Sequence, residues 1–191
     1  MKLILASGSP YRRELLARLR LPFEVKAPDV DESPRAEEAP QALARRLARS
    51  KAAAVAAVAP GSVVIGSDQV ATLDGRTPIG KPGTLEAARG QLAAASGRVM
   101  QFHTAFALLA PGGIVIEGCV PVEVEFRCLE GDEIERYLAL EQPFDCAGAA
   151  KCEGLGIALL KRIRTDDPTA LVGLPLMQVA DALRQVGLSP T

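Results

Sequence analysis

The sequence predicts an α/β domain with a mixed central sheet flanked by helices. Apolar runs of strand character alternate with helical repeats toward both ends of the chain. Between them lie two long strand-like runs joined by Pro111-Gly112-Gly113, the pattern of an antiparallel pair. No repeat, linker or low-complexity tract divides the 191 residues, so they read as one domain, 1–191. Alternation at the ends with a hairpin in the middle requires a sheet that mixes both pairings.

Residues 3–7 are an apolar run that stops at Ser7-Gly8-Ser9-Pro10, a strand that meets a helix start. Ser9 suits the N-cap and Pro10 the first helical position, and Leu15, Leu16 and Leu19 then recur at helical spacing. Phe23 to Ala27 alternates as a second strand does, and the acidic, proline-containing stretch from Asp29 to Pro40 reads as a loop. Gln41 to Val58 is rich in alanine, leucine and arginine and predicts a long helix. Ser62 to Val70 is a β-branched run, followed by the turn signal Leu73-Asp74-Gly75-Arg76. Thr84 to Ala95 predicts a third helix, and Val99 to Leu109 with Ile114 to Leu129 predict the central pair. Asp132 to Leu140 is a fourth helix, a glycine-rich run from Ala147 ends in a strand, and Leu176 to Val186 is a last helix.

The formal net charge of −1 argues against a general nucleic-acid binder while leaving room for a local basic pocket. No apolar run approaches the ~20 residues that span a bilayer, and the opening LILA is too short for a signal-peptide core. The expected location is therefore cytoplasmic. Cys119, Cys128, Cys146 and Cys152 form no CxxC pair and read as reduced thiols rather than zinc ligands. His103, alone in an apolar strand, reads as structural.

Three features carry chemistry. Arg12 and Arg13 stand in the first turn of the first helix, where cations are mildly unfavourable unless a polyanion is bound. With phosphate present, the backbone near Gly8 and Ser9, the Ser7 and Ser9 hydroxyls and the two guanidinium groups would converge on it; otherwise both arginines are solvated. Asp68, in Ile65-Gly66-Ser67-Asp68-Gln69, follows a buried-looking strand and belongs at the rim of a sheet. It could hold a hard cation, take a proton from water, or simply begin a turn. Asp29, Asp31 and Glu32 form an acidic loop that could hold Mg²⁺ with phosphate or could merely be solvated. Gly75 to Lys81 matches most of a Walker A motif, but Pro82 stands where the metal-binding hydroxyl belongs, so Lys81 is kept only as a phosphate contact.

The order of these segments is more specific than any one of them. Ser7-Gly8-Ser9-Pro10-Tyr11-Arg12-Arg13-Glu14-Leu15-Leu16, Asp29-Val30-Asp31-Glu32, Lys51, Gly66-Ser67-Asp68-Gln69 and Ile79-Gly80-Lys81-Pro82 resemble, in sequence order, the Maf-like nucleotide pyrophosphatase family. The resemblance continues through Cys146-Ala147-Gly148 and Lys151-Cys152-Glu153-Gly154 to Leu171-Val172-Gly173-Leu174-Pro175. It implies one domain with two lobes around a nucleotide cleft, often paired as a homodimer. It also implies hydrolysis of a nucleoside triphosphate to monophosphate and pyrophosphate with a divalent metal, Mg or Mn. On this resemblance Asp68 is the proton acceptor, Glu32 and Asp68 hold metal, and Ser7, Arg12, Arg13, Lys51 and Lys81 bind phosphate. Gly8 and Cys152 depart from the family's usual Ser or Thr and Ser.

Tyr11, Gln69 and Glu153 resemble the branch of the family that acts on 7-methylguanosine triphosphate, in a role of nucleotide house-cleaning. The alternatives are dTTP, UTP or broad substrate use within the family. From another class, the alternative is a nucleotide-binding regulator of septum formation.

Overall fold

In the computed structural model, which describes residues 1–191, the opening apolar run is strand β1 (Leu3–Ala6), buried along its whole length. It passes directly into α1 (Pro10–Ala17), whose N-cap Ser9 accepts a hydrogen bond from the Arg12 amide while Pro10 occupies the first helical position. β2 (Phe23–Val25) is shorter than the alternating run and lies parallel to β1. The acidic segment is irregular as expected, and α2 (Pro40–Ala56) begins on a proline, one residue before the predicted start.

β3 (Val63–Thr72) joins the two halves of the sheet, parallel to β1 on one side and antiparallel to β4 (Val99–Ala110) on the other. α3 (Leu85–Ala95), capped by the Thr84 hydroxyl, connects them. β4 returns through Pro111–Gly113 into β5 (Ile114–Phe126), and Gly112 and Gly113 take φ values of 81° and 78° that only glycine adopts freely. A register shift at Glu125/Phe126 ends β5 before the predicted Leu129. α4 (Gly131–Glu141), the edge strand β6 (Leu160–Thr165) and α5 (Leu176–Gln185) follow. The sheet order is β2-β1-β3-β4-β5-β6.

The strand period of two sorts the core. Ile4, Val64 and Ala105 face α2 through Leu43, Leu47 and Val55. Leu3, Leu5, Ile65 and Leu108 face the opposite side, against Leu15 and Leu16 of α1 and Val179 and Leu183 of α5. Further along β4 and β5, Met100, Phe102, Val122 and Val124 form a separate core with Leu92 of α3 and Ile134, Tyr137 and Leu138 of α4. These cores define two lobes, and the long central strands run through both.

One contact governs the site. A Cβ on Gly66 would lie 2.2 Å from the Ala48 carbonyl oxygen and 2.6 Å from the Ala52 amide nitrogen. Only glycine permits α2 to lie this close to β3. Gly66 and Asp68 share a strand face, so the approach that glycine allows brings Lys51 of α2 to Asp68.

Candidate active site

Between the lobes lies a cleft of about 700 Å³ whose lining includes Ser7, Tyr11, Arg12, Glu32, Lys51, Asp68, Gln69 and Lys81. The expected position of Asp68, after a strand and at the sheet rim, needs correction. Asp68 lies inside β3, opposite Ala105 of β4. β1 stops pairing at Ala6, opposite Gly66, while β3 continues, so Asp68 projects just beyond the carboxyl end of β1. Ligands of α/β sheets collect in this zone.

Lys51 Nζ donates to Asp68 Oδ1 at 2.6 Å and lies 2.8 Å from Glu32 Oε1. The Lys51 and Asp68 side chains are 7% and 9% exposed, against 60% for Glu32. Two charges this buried are tolerable only as a pair. Asp68 Oδ2 has no protein partner and is the oxygen left for the cleft.

Glu32 is presented by a loop fastened to α2. Arg46 donates to both Glu38 carboxylate oxygens, at 2.6 and 2.7 Å, and to the Ser33 carbonyl at 2.9 Å. The Arg46 guanidinium, with the Arg35 amide assisting, holds the Glu38 carboxyl down to about 2. Asp31 accepts from the Ser33 amide, which holds its pKa below the ordinary carboxylate value, so this carboxylate shapes the loop. Asp29 and Asp31 do not line the cleft.

Arg12 Nε donates to the Gly173 carbonyl at 2.8 Å, leaving its terminal nitrogens for an anion. Burial pulls its pKa down, while Asp68 and Glu32 oppose that shift. Buried Ser7 accepts from the Ser9 amide at 3.1 Å, and its own hydroxyl proton remains to be donated. Lys81 reaches the cleft because the segment after β3 folds back, with the Ile79 amide donating to the Ala71 carbonyl at 2.7 Å. No helix begins at Lys81; α3 starts only at Leu85, so the Walker-like segment forms a turn held by Asp74.

The remaining residues singled out in the sequence divide. The Tyr11 hydroxyl donates to Asp145 Oδ2 at 3.0 Å, and Lys151 Nζ lies 5.2 Å from its ring centroid. Gln69 Nε2 is committed to Thr104 Oγ1 and the carbonyls of Ala170 and Leu171, leaving Oε1 without a protein donor. Arg13 is exposed and does not line the cleft. Glu153 is exposed and lines a second hollow of about 410 Å³, with Ile157, Ile163, Thr165 and Leu171. Val172 belongs to both walls. His103 is half-buried in β4 away from the cleft, and burial lowers its pKa.

Sequence reasoning missed Ser67, whose single hydroxyl proton is shared between the carbonyls of Ala105 at 2.8 Å and Gly173 at 2.9 Å, tying the 170–173 turn to β3. It also missed Asp145, which no local pattern marks. Cys146 lines the cleft too, but burial pushes its thiol up to about 12 and keeps it protonated.

No group of three or more His, Cys, Asp or Glu side chains is arranged so that it could hold a metal ion by itself. A dedicated protein cage for a metal is therefore not built. Glu32 and Asp68, converging on one ammonium, do fit a hard cation that takes its remaining oxygens from phosphate and water, as Mg²⁺ commonly does.

A family model described as Maf-like protein matches residues 2–186. A protein of Xanthomonas campestris pv. campestris (strain 8004), named 7-methyl-GTP pyrophosphatase, is 57% identical over 188 residues, covering 98% of this chain and 97% of its own. One of the same name from Bordetella avium (strain 197N) is 54% identical over 189 residues, covering 99% and 95%. Among solved structures, the Staphylococcus aureus Ham1 protein superposes with a TM-score of 0.54 over 94% of this chain and 97% of its own. Its sequence identity is 16%, so that likeness concerns the fold alone.

Proposed function

The chain belongs to the Maf-like family, and from that membership we propose that it is a nucleoside triphosphate pyrophosphatase that converts 7-methyl-GTP to 7-methyl-GMP and pyrophosphate. The observation that carries the chemistry is Asp68, a nearly buried carboxylate with one oxygen held by Lys51 and the other free, in a cleft lined by Arg12 and Lys81.

The triphosphate lies against the α1 N-terminus, Ser7, Arg12 and Lys81, which neutralise its charge. A water takes up a position between Asp68 Oδ2 and the α-phosphorus. Asp68 accepts its proton as the oxygen attacks phosphorus and the bond from the α-phosphorus to the bridging oxygen breaks. Lys51 holds Asp68 in orientation, and Arg12 and Lys81 stabilise the departing pyrophosphate. A divalent cation, Mg²⁺ or Mn²⁺, would be held by Glu32 and Asp68 and would supply further charge neutralisation on the phosphate oxygens. Arg13, exposed beside the entrance residues of α1, contributes to the field that draws the polyanion in.

The base passes Val172 toward the second hollow, where Glu153 accepts hydrogen bonds from N1–H and the exocyclic amine of a 7-methylated guanine and offsets its ring charge. Gln69 Oε1 and Tyr11 border the path. That the Xanthomonas and Bordetella relatives are both named 7-methyl-GTP pyrophosphatase supports this choice of base. No helix of the chain is long and apolar enough to cross a membrane, and we place the activity in the cytosol, where nucleotides are kept.

The test is to incubate the purified protein with a nucleotide panel and Mg²⁺ or Mn²⁺ and identify the products. Monophosphate and pyrophosphate in equal amounts, fastest from 7-methyl-GTP, are expected. Release of orthophosphate with a nucleoside diphosphate would overturn the reaction, and a preference for dTTP or UTP would overturn the base.

A further inference from the structure

Two of the residues assigned above to base selection, Tyr11 and Glu153, stand on different elements, and one side chain joins them. Lys151 Nζ lies 5.2 Å from the Tyr11 ring centroid and 3.4 Å from Glu141 Oε1. The other oxygen of Glu141 accepts from the Leu155 amide at 2.8 Å. The residues on either side of Glu153 by two positions are thus both fastened to Glu141. On the far side, the Tyr11 hydroxyl holds Asp145, 134 residues away in sequence. A continuous path therefore runs from Asp145 through Tyr11, Lys151 and Glu141 to Leu155.

We infer, resting on the base-recognition reading above, that Lys151 is a positioning residue that locks Tyr11 of α1 and the Glu153 segment into one unit for nucleotide selection. An ammonium against an aromatic face is held by the ring's quadrupole and fixes the ring's orientation. Glu141 supplies the counter-charge from a side chain only 17% exposed, where screening by salt is weak. Lys151 touches neither of the carboxylates that do the chemistry; its task is to decide where the base-reading groups stand.

The Lys151 side chain can be altered without releasing its backbone. The Lys151 amide donates to the Tyr137 hydroxyl at 3.0 Å, and a Cβ on Gly156 would come within 2.5 Å of the Lys151 amide nitrogen, so the main chain there is fixed from both sides. Lys151→Met keeps the aliphatic stem and removes the charge; Lys151→Arg keeps a cation that stacks on rings.

Lys151→Met is expected to raise KM for the nucleotide that the wild type prefers by about tenfold, the scale of one cation–π contact. Its kcat should stay near wild type, its preference among bases should narrow, and Lys151→Arg should restore most of the KM. A second readout does not depend on turnover: the chain has two tyrosines and no tryptophan, so a ring-¹³C tyrosine label reports Tyr11 and Tyr137 alone. The Tyr11 signal should move in Lys151→Met. The inference is overturned if the Tyr11 signal stays in place, if all nucleotides lose activity equally through kcat, or if Lys151→Arg behaves as Lys151→Met does. A wild type that prefers UTP overturns the choice of base while leaving this test intact on UTP. A wild type without any preference overturns both.

Discussion

Gly66→Ala should disable the enzyme without touching a group that meets the substrate. The added methyl would sit 2.2 Å from the Ala48 carbonyl oxygen and 2.6 Å from the Ala52 amide nitrogen, where ordinary contact begins at 3.4 Å. Both atoms are helix backbone, so no side chain can swing aside; α2 and β3 must part by about 1 Å. Lys51 lies between those two helix residues, and its 2.6 Å bond to Asp68 would stretch to about 3.6 Å, beyond a hydrogen bond. Overpacking costs about 1–3 kcal/mol, and a backbone clash belongs near the upper end. At about 2–4 °C per kcal/mol for a chain of this size, Tm should fall by about 6–12 °C. A displacement of about 1 Å at a reacting group can cost about 100-fold in kcat/KM. The control is Gly90→Ala in α3, where a Cβ meets nothing within 4 Å and φ is not left-handed. It should gain about 0.5–1 kcal/mol with unchanged kinetics. Thermal melts and kcat/KM, measured well below both melting points, decide the matter. A Gly66→Ala protein that melts and turns over like wild type would refute the link between helix approach and catalytic geometry.

Asp68→Asn should lower kcat by about 10²–10⁴-fold with the fold intact, and near-wild-type turnover would remove Asp68 from the chemistry. Lys51→Met should cost about 3–5 kcal/mol in denaturant melts by leaving a buried carboxylate unpaired, and adding Asp68→Asn should recover most of that. If the double variant is no more stable than Lys51→Met, the pair is not what buries Asp68. Arg12→Ala should weaken triphosphate binding more than Arg13→Ala, whose smaller effect should fade with added salt; equal effects would mean that Arg13 turns inward on binding. The Glu38 carboxyl is held at about 2 against an ordinary 4.5, so its stabilisation of the Glu32 loop is present above that ordinary value and is lost as pH falls toward 2. Limited proteolysis of residues 29–38 should show the loop opening across that window, and Glu38→Gln should open it at neutral pH.

Most of the scaffold was legible because its elements punctuate themselves. Ser9-Pro10 and Thr84 each start a helix in the structure, and Pro111-Gly112-Gly113 turns one strand into the next. The errors fall where pairing rather than local sequence sets a boundary. β3 runs through Asp68 to Thr72 because β4 continues to pair with it after β1 has ended, and a single strand's sequence holds no trace of its neighbour's length. Within the site, the charged residues were legible by type and order. Glu153 and Arg13 were not placed, since whether a residue faces a cleft depends on how a loop or helix is docked. Ser67 and Gln69 look like a pair of polar residues beside an aspartate, yet both hydrogen-bond to the 170–173 turn, a contact more than 100 residues away in sequence.

That turn has a consequence for synthesis. Ser67, Gln69, Thr104 and Arg12 all donate to carbonyls between Ala170 and Gly173. Until this stretch emerges from the ribosome, those four side chains lack these acceptors, and Arg12 has nothing to aim it into the cleft. A nascent chain can assemble its first parallel strands and the central hairpin early, at some 5–20 residues per second, yet remain unable to grip a nucleotide. The grip on the nucleotide then waits on residues 170–173, which close the cleft from the far end of the sequence.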